Sequence, residues 1–220
     1  MTFEILALGD CNTSGDVYFE NNAYPERFAK KIGLRVKNCG YTMSTTREML
    51  YFAKKNIENY EIILIQYGLV DSWKTFKYAP YILYYPDNFY RRIARKFVKK
   101  YKKVARKIGL NKLLGTKNVV PIKEYRANIE SLIKKYPNKI FILIDTPPNK
   151  DTSRNYEIKK YNSILESISF LYKNCYYLKI YETFEKNMNI YYLDKTHLND
   201  KGYEIVAKEL QKIYEESISL

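Results

Sequence analysis

The chain has few of the residues that build disulfides, metal sites and membrane anchors. It contains one histidine and three cysteines among 220 residues. An odd cysteine count without metal-ligand spacing argues against a disulfide framework or a zinc site, so we expect reduced thiols and neither metal nor cofactor. No apolar run approaches the roughly 18 residues of a membrane span, and the first basic side chain is Arg27. We therefore predict no signal peptide or membrane span, and a cytoplasmic protein.

Positive charge is concentrated in one segment. The formal net charge is +14. Between Lys74 and Arg126 there are sixteen basic residues against two acids, Asp87 and Glu124, so this segment carries the whole excess. An AT-rich genome, which favours lysine, tyrosine, asparagine and isoleucine, is one explanation of the composition. An anionic partner is the other.

Short apolar runs alternate with helical patterns. The runs cover residues 3–8, 34–36, 62–66, 140–144 and 176–178, and helical spacing covers 25–32, 45–56, 123–135, 153–172 and 199–214. Strands buried on both faces and separated by helices predict an α/β fold. We expect a three-layer α/β/α sandwich with a mostly parallel, flavodoxin-like sheet of about five strands. A chain of 220 residues suits one such domain.

Candidate functional residues follow three of the predicted strands. Cys11 follows the first strand, Cys39 and Gly40 follow the second, and residues 68–71 follow the third. Ligands of parallel α/β sheets bind beyond the carboxyl ends of the strands. The three loops should therefore meet at one edge of the sheet.

The only histidine, His197, lies three positions after Asp194 and at the head of the last helical pattern. Imidazole is the side chain that exchanges a proton near neutral pH, and a carboxylate can orient it. Cys11 lies at the other end of the chain in a glycine-rich turn. A nucleophile near the start and an Asp/His pair near the end form a coherent catalytic order.

Four sequence blocks resemble those of the SGNH (GDSL-type) hydrolases. In chain order they are Gly9-Asp10-Cys11 with Gly15, Asn38-Cys39-Gly40, Gly68-Leu69-Val70-Asp71 and Asp194-x-x-His197. Tyr161-Asn162 and the tail over residues 197–203 are also similar to the family. The resemblance covers the chain as one SGNH-hydrolase-like domain, 1–220, except for an insertion at about 73–120.

The resemblance assigns roles by position. It implies a nucleophile at Cys11, a base at His197, an orienting carboxylate at Asp194, and an oxyanion hole made by the Cys11 and Gly40 amides. Cys11 replaces the family serine, and a thiol beside an imidazole is a competent nucleophile. Val70 replaces the oxyanion-hole asparagine. Loss of one such donor costs roughly 100- to 1,000-fold in rate where it has been measured.

Four further residues are expected to support these loops: Asp10, Asn12, Asn38 and Asp71. We expect Asp10 to fix the turn that presents Cys11, and Asp71 to hold its own loop by bonding backbone amides. Asn12, Asn38 and Thr13 are alternative replacements for the missing donor. Structural explanations stay open as well, with Cys11 as an inert buried thiol and His197 as a helix cap.

Residues 73–120 interrupt the alternation of strands and helices. An aromatic stretch punctuated by proline precedes residues 89–108, where apolar residues recur at helical spacing among many lysines and arginines. We predict a helical insertion beside the site, with four solvent-facing residues placed to bind an anionic ligand. They are Arg91, Arg92, Arg95 and Lys96. The alternatives are an acidic glycan, an anionic membrane surface, a solvated lid, and nucleic acid, which is disfavoured because no recognition motif accompanies the charge.

The leading prediction is an SGNH-like acyl-ester hydrolase or O-acyltransferase with a Cys-His-Asp triad. An acylated glycan is the expected substrate, because the Gly-x-Val-Asp variant resembles SGNH-like proteins found with bacterial surface-polysaccharide biosynthesis. The alternative is a catalytically silent SGNH-like module that binds an anionic glycan or a lipid-linked sugar. A cytoplasmic protein of either kind is compatible with peripheral attachment to the inner face of the membrane.

Overall fold

Short strands and longer helices alternate along the computed structural model, which describes residues 4–15 and 18–218. The strands are β1 (Glu4–Gly9), β2 (Arg35–Asn38), β3 (Ile62–Gln66), β4 (Lys74–Phe76), β5 (Thr116–Asn118), β6 (Ile140–Ile144) and β7 (Cys175–Leu178). The α-helices are α1 (Cys11–Ser14), α2 (Tyr24–Lys31), α3 (Thr46–Asn56), α4 (Phe89–Lys107), α5 (Leu110–Leu114), α6 (Ile122–Lys135), α7 (Asn155–Leu171), α8 (Tyr181–Lys186), α9 (Met188–Tyr191) and α10 (Asp200–Ser217).

Five of the strands form a parallel sheet in the order β2-β1-β3-β6-β7. This confirms the predicted flavodoxin-like α/β/α sandwich. The predicted β3 and β6 match the structure at both ends, because β6 is a continuous apolar run between Lys139 and Asp145, and the apolar run of β3 begins after Glu61 and ends at Gln66. Phe3, where the first strand was predicted to begin, lies outside the described residues.

The sheet separates two apolar cores. Side chains of β1 alternate between them: Leu6 and Leu8 enter the core built with α3, α6 and α7, and Ile5 and Ala7 enter the core built with α2 and α10. Burial on both faces requires the near-continuous apolar sequence of the central strands. The chain leaves β1 for β2 on one side and later reaches β3 on the other side. The carboxyl ends of β1 and β3 therefore flank the position where ligands bind in sheets of this kind.

The insertion contains more than the predicted helix. Its first and last segments, β4 and β5, pair as an antiparallel ribbon, and α4 and α5 lie between them. The sequence prediction missed this ribbon. Its strands have three residues each and are mostly polar, so they are too short to show an alternating pattern.

Glu48 of α3 ties the insertion to the sandwich. The residue is fully buried, and its carboxylate accepts hydrogen bonds from the Thr45 amide at 2.9 Å, the Tyr81 hydroxyl at 2.9 Å and the Tyr84 amide at 2.7 Å. The bond to Thr45 belongs to the capping box that begins α3. One buried carboxylate therefore holds the start of a core helix and the aromatic part of the insertion together.

We predict that Glu48→Ala lowers the free energy of unfolding by about 3 kcal/mol, because several buried donors lose their acceptor at once. The insertion should also become more sensitive to protease than the rest of the chain. Urea unfolding and limited proteolysis measure the two effects. Glu58→Ala, at an exposed position just beyond α3, is the control. Equal stability and equal cleavage of the two variants would contradict the anchoring role of Glu48.

Candidate active site

The turn that carries Cys11 is built by close packing at the end of β1. A Cβ atom on Gly9 would lie 1.9 Å from Thr13 Oγ1, so this position accepts only glycine. The Asp10 carboxylate accepts a hydrogen bond from the Asn12 amide at 3.0 Å and caps α1. Cys11 is thereby fixed as the first residue of α1 at the carboxyl edge of the sheet.

Cys11 is 5% exposed and packs against Leu69, which precedes Val70 in the loop after β3. The other two cysteines are also buried thiols. Burial raises the pKa of Cys39, and it raises the pKa of Cys175 to about 12. These two thiols therefore stay protonated at neutral pH and are poor nucleophiles.

Asp194 and His197 form a bonded pair. Asp194 Oδ2 lies 2.7 Å from His197 Nδ1, and Asp194 Oδ1 accepts the backbone amides of Thr196 at 2.6 Å and His197 at 2.8 Å. Partial burial opposes ionisation of Asp194, but these hydrogen bonds outweigh it and hold the pKa of Asp194 below its ordinary value. The carboxylate stays ionised and orients the ring, which leaves Nε2 for proton transfer.

Asn12 joins the two halves of the site. Its Nδ2 donates to Thr196 O at 3.2 Å, and its Oδ1 accepts from the Leu198 amide at 3.1 Å. The two bonded residues flank His197 directly. The residue after Cys11 therefore holds the peptide groups on both sides of the candidate base.

A second asparagine, which the sequence analysis did not single out, supports the same loop. Asn149 is 2% exposed, and its Nδ2 donates to Thr196 Oγ1 at 2.9 Å. The adjacent Lys150 amide donates to Lys195 O at 2.9 Å. Its place in the sequence could have pointed to this role, because Asn149 follows β6 at the carboxyl edge of the sheet.

The Gly40 amide is engaged in the present arrangement. It donates to Asn38 Oδ1 at 2.8 Å, and a Cβ atom on Gly40 would lie 2.3 Å from the Ser14 amide nitrogen. Gly40 is therefore required for close packing against α1. Its N–H is available to a ligand only if the Asn38 side chain releases it.

The three alternative oxyanion donors are also engaged. Asn12 bonds the His197 loop, Asn38 Nδ2 donates to Thr13 O at 2.7 Å, and the Thr13 hydroxyl donates to Gln66 Oε1 at 3.2 Å. Val70 is 2% exposed and has no polar side-chain atom. Each of the three alternative side chains is therefore already held by other hydrogen bonds, and Val70 itself contributes no donor in the place of the family asparagine.

A cavity of about 710 Å³ lies between Val70 and the insertion. Trp73 and Tyr84 contribute aromatic surface to it. Its lining also includes five basic side chains of α4: Arg92, Arg95, Lys96, Lys99 and Lys102. Within the described part of the chain, neither Cys11 nor His197 lines this cavity. It is therefore an anion-attracting space beside the candidate triad rather than around it.

The four insertion residues proposed to bind an anion do not all face solvent as expected. Arg91 donates to Pro86 O at 2.6 Å, and Arg95 donates to Leu83 O at 2.7 Å. The proline-rich segment leaves carbonyl groups that these guanidinium groups satisfy. The expectation that these residues face solvent is wrong for Arg91 and Arg95, which are half-buried. The exposed members are Arg92 and Lys96.

Comparison with known proteins identifies the family. A sequence model described as GDSL-like lipase/acylhydrolase matches residues 5–210. The chain belongs to this family. GDSL-type proteins are ester hydrolases, and the chain is accordingly a hydrolase of the esterase type. No curated protein sequence matches it.

Solved structures share the GDSL fold over nearly the whole chain. The lipase/acylhydrolase from Enterococcus faecalis has a TM-score of 0.66 at 17% identity, covering 97% of this chain and 96% of that chain. A catalytic mutant of an acetylxylan esterase from Geobacillus stearothermophilus has a TM-score of 0.64 at 17% identity, covering 96% and 93%. A member of the lipolytic protein G-D-S-L family from Veillonella parvula has a TM-score of 0.62 at 13% identity, covering 99% and 98%. At these identities the likeness establishes the fold.

Two buried carboxyl groups, those of Asp10 and Asp71, lie in the loops that follow β1 and β3 at this GDSL-type site. Burial raises the pKa of Asp10 to about 7 against the effect of its bond from Asn12, and the charge of Asp71 adds to the rise. Burial likewise raises the pKa of Asp71 to about 7. Asp71 accepts the Thr46 amide at 2.9 Å and the Thr46 hydroxyl at 2.8 Å, and its Oδ2 has no partner among the described residues. Beyond the expected bonding within its own loop, the Asp71 carboxyl group therefore reaches the start of α3.

These raised pKa values predict a pH-dependent stability. Between about pH 4 and about pH 7 the folded protein keeps protons on Asp10 and Asp71 that the unfolded chain releases, so the free energy of unfolding falls as pH rises through this window. Asp71→Asn should show a smaller fall than the wild type when urea unfolding is compared at about pH 5 and about pH 8. Asp200→Asn, at an exposed carboxyl group, should keep the wild-type dependence. An unchanged fall in Asp71→Asn would exclude a raised pKa at this position.

Proposed function

We propose that the protein is a GDSL-type acyl-ester hydrolase or O-acyltransferase whose nucleophile is the Cys11 thiol. The observation that carries this proposal is the double hydrogen bond of Asn12 to the residues on either side of His197. It attaches the Asp194-oriented imidazole to the turn that begins with Cys11. A candidate nucleophile, a base and its orienting carboxylate then belong to one bonded unit.

In the proposed reaction, His197 Nε2 removes the proton from Cys11 Sγ, and the thiolate attacks the ester carbonyl carbon. The tetrahedral intermediate collapses, the carbon–oxygen bond to the alcohol breaks, and His197 returns the proton to the leaving oxygen. A thioester on Cys11 results. Water or a sugar hydroxyl, deprotonated by His197, then attacks the thioester and regenerates the thiol.

The proposed oxyanion hole uses backbone donors. The Cys11 amide is at the nucleophile itself, and the Gly40 amide joins it when Asn38 releases its hydrogen bond. This hole lacks the side-chain donor that Val70 replaces. We therefore propose a slow enzyme, with a deficit of roughly 100-fold or more relative to a complete hole.

The proposed substrate is an acylated, acidic glycan, with a role in bacterial surface-polysaccharide biosynthesis. The acetylxylan esterase with the same fold is named for an acetylated polysaccharide. The cavity next to Val70 combines Trp73 and tyrosines with exposed Arg92 and Lys96. Aromatic faces suit sugar rings, and guanidinium groups suit carboxylates.

A second candidate function is a catalytically silent GDSL-type module that binds an anionic glycan or a lipid-linked sugar. Two observations favour it: the apolar Val70 at the donor position and the engaged amide of Gly40. The cavity and its basic lining would be kept in such a module. Catalysis would be absent even though the Asp194–His197 pair is formed.

The test measures hydrolysis of p-nitrophenyl acetate and of an acetylated oligosaccharide by single variants. Cys11→Ala and His197→Ala should each reduce kcat/KM by about 1,000-fold or more, and the double variant should be no worse than either, because the two residues act as one unit. Cys175→Ala is the thiol control and should retain activity. Activity that survives both site substitutions would overturn the mechanism.

Iodoacetamide separates the second candidate from the first. A functional Cys11 should be alkylated faster at neutral pH than Cys175, whose pKa is raised to about 12. An inactive wild type in which Cys11 reacts no faster than Cys175 would favour the silent binding module.

A further inference from the structure

Helix α4 exposes an apolar stripe to solvent. Six side chains along α4 and the residue after it are between 37% and 81% exposed, and we name them the α4 stripe. They are Tyr90, Ile93, Phe97, Tyr101, Val104 and Ile108. Their spacing of three or four residues places them on one side of the helix. Leu113 and Leu114 of α5 add further exposed apolar surface beyond the end of the stripe.

Most of the α4 stripe lies outside the contact that holds the helix to the protein. Ala105 is the residue of α4 that is fully buried, and it packs with Phe76 and Ala79. Of the stripe residues, Tyr101 also packs on Phe76 in an edge-to-face arrangement, with the two ring centroids 5.6 Å apart. A contiguous apolar surface of this kind on a folded protein indicates a binding surface.

The rest of α4 is strongly cationic. The helix contains ten basic residues and no acidic residue. Four exposed lysines follow one another at intervals of three or four residues and border the stripe: Lys96, Lys100, Lys103 and Lys107. The helix therefore presents an aromatic and aliphatic band next to a ridge of positive charge.

We propose that α4 docks the protein on the surface of a membrane that contains anionic lipids. Phenylalanine, tyrosine and isoleucine side chains insert at the boundary between headgroups and acyl chains, and the lysine ridge meets the lipid phosphates. A second copy of the chain fits less well, because two helices with ten positive charges each would face one another. Within residues 4–15 and 18–218, no helix has both the length and the apolar character needed to cross a bilayer.

Docking in this way would place the basic cavity next to the membrane. Arg92 and Lys99 line that cavity from the same helix that carries the stripe. A substrate held in the cavity would then be presented at the membrane surface. The docking itself does not depend on the proposed catalytic function, and its test uses binding alone.

The test is co-sedimentation of the full chain with vesicles of phosphatidylcholine and with vesicles of phosphatidylcholine and phosphatidylglycerol. We expect binding to the anionic vesicles that weakens with added salt. Phe97→Ser combined with Ile108→Ser should weaken binding by about tenfold or more, because two inserted side chains are lost. Lys100→Gln combined with Lys107→Gln should weaken it by a comparable factor.

Phe170→Ser, which removes a phenylalanine from α7 that is even more exposed than Phe97, is the control and should bind as the wild type does. Thermal unfolding should be unchanged in every variant, since the substituted side chains are exposed. Equal binding to both vesicle types, or binding that the stripe substitutions leave unchanged, would overturn the proposal. The wild type could instead fail to bind vesicles and self-associate in sedimentation velocity, while Phe97→Ser is monomeric. This outcome would assign the stripe to contact with a second copy of the chain.

Discussion

The candidate site depends on two hydrogen bonds made by the side chain of Asn12. They connect the turn after β1 to the loop before α10, across 184 and 186 residues of sequence. Without them, the pair formed by Asp194 and His197 would be a local unit on a loop that is half exposed. With them, the imidazole belongs to the same structure as Cys11. The parallel sheet brings the two segments to its carboxyl edge, and the Asn12 side chain bonds the residues on either side of His197.

A single buried side chain also holds the insertion to the sandwich. The Glu48 carboxyl group accepts hydrogen bonds from the residue that caps α3 and from the aromatic segment of the insertion. These bonds hold the segment that leads into α4. Two consequences follow for the helix. Five of its basic residues line the cavity that reaches Val70, and its apolar stripe is exposed, with Ile93 of the stripe also lining the cavity. The proposed ligand capture and the proposed membrane docking therefore use adjoining surfaces of one helix.

Sequence patterns predicted the parts of the structure that local chemistry determines. Continuous apolar runs gave β3 and β6 at both ends, and the ordered blocks around Cys11 and His197 indicated the family that the GDSL-like match confirms. The β4–β5 ribbon was missed because its strands are short and polar. The engagement of Gly40 by Asn38 was not predictable, since an asparagine side chain has several partners within reach and only the folded backbone selects one. The bonds of Asp71 with Thr46 and of Arg95 with the Leu83 carbonyl were not predicted for the same reason.

The central claim is that Cys11 is the nucleophile and that His197 removes its proton. Its most direct test is mass spectrometry of the protein quenched rapidly during reaction with p-nitrophenyl acetate. We expect an acetyl group on the peptide that contains Cys11, bound as a thioester that hydroxylamine removes, and strongly reduced labelling in His197→Ala. An active enzyme that carries no acetyl group on Cys11, or carries it on another residue, would contradict the claim.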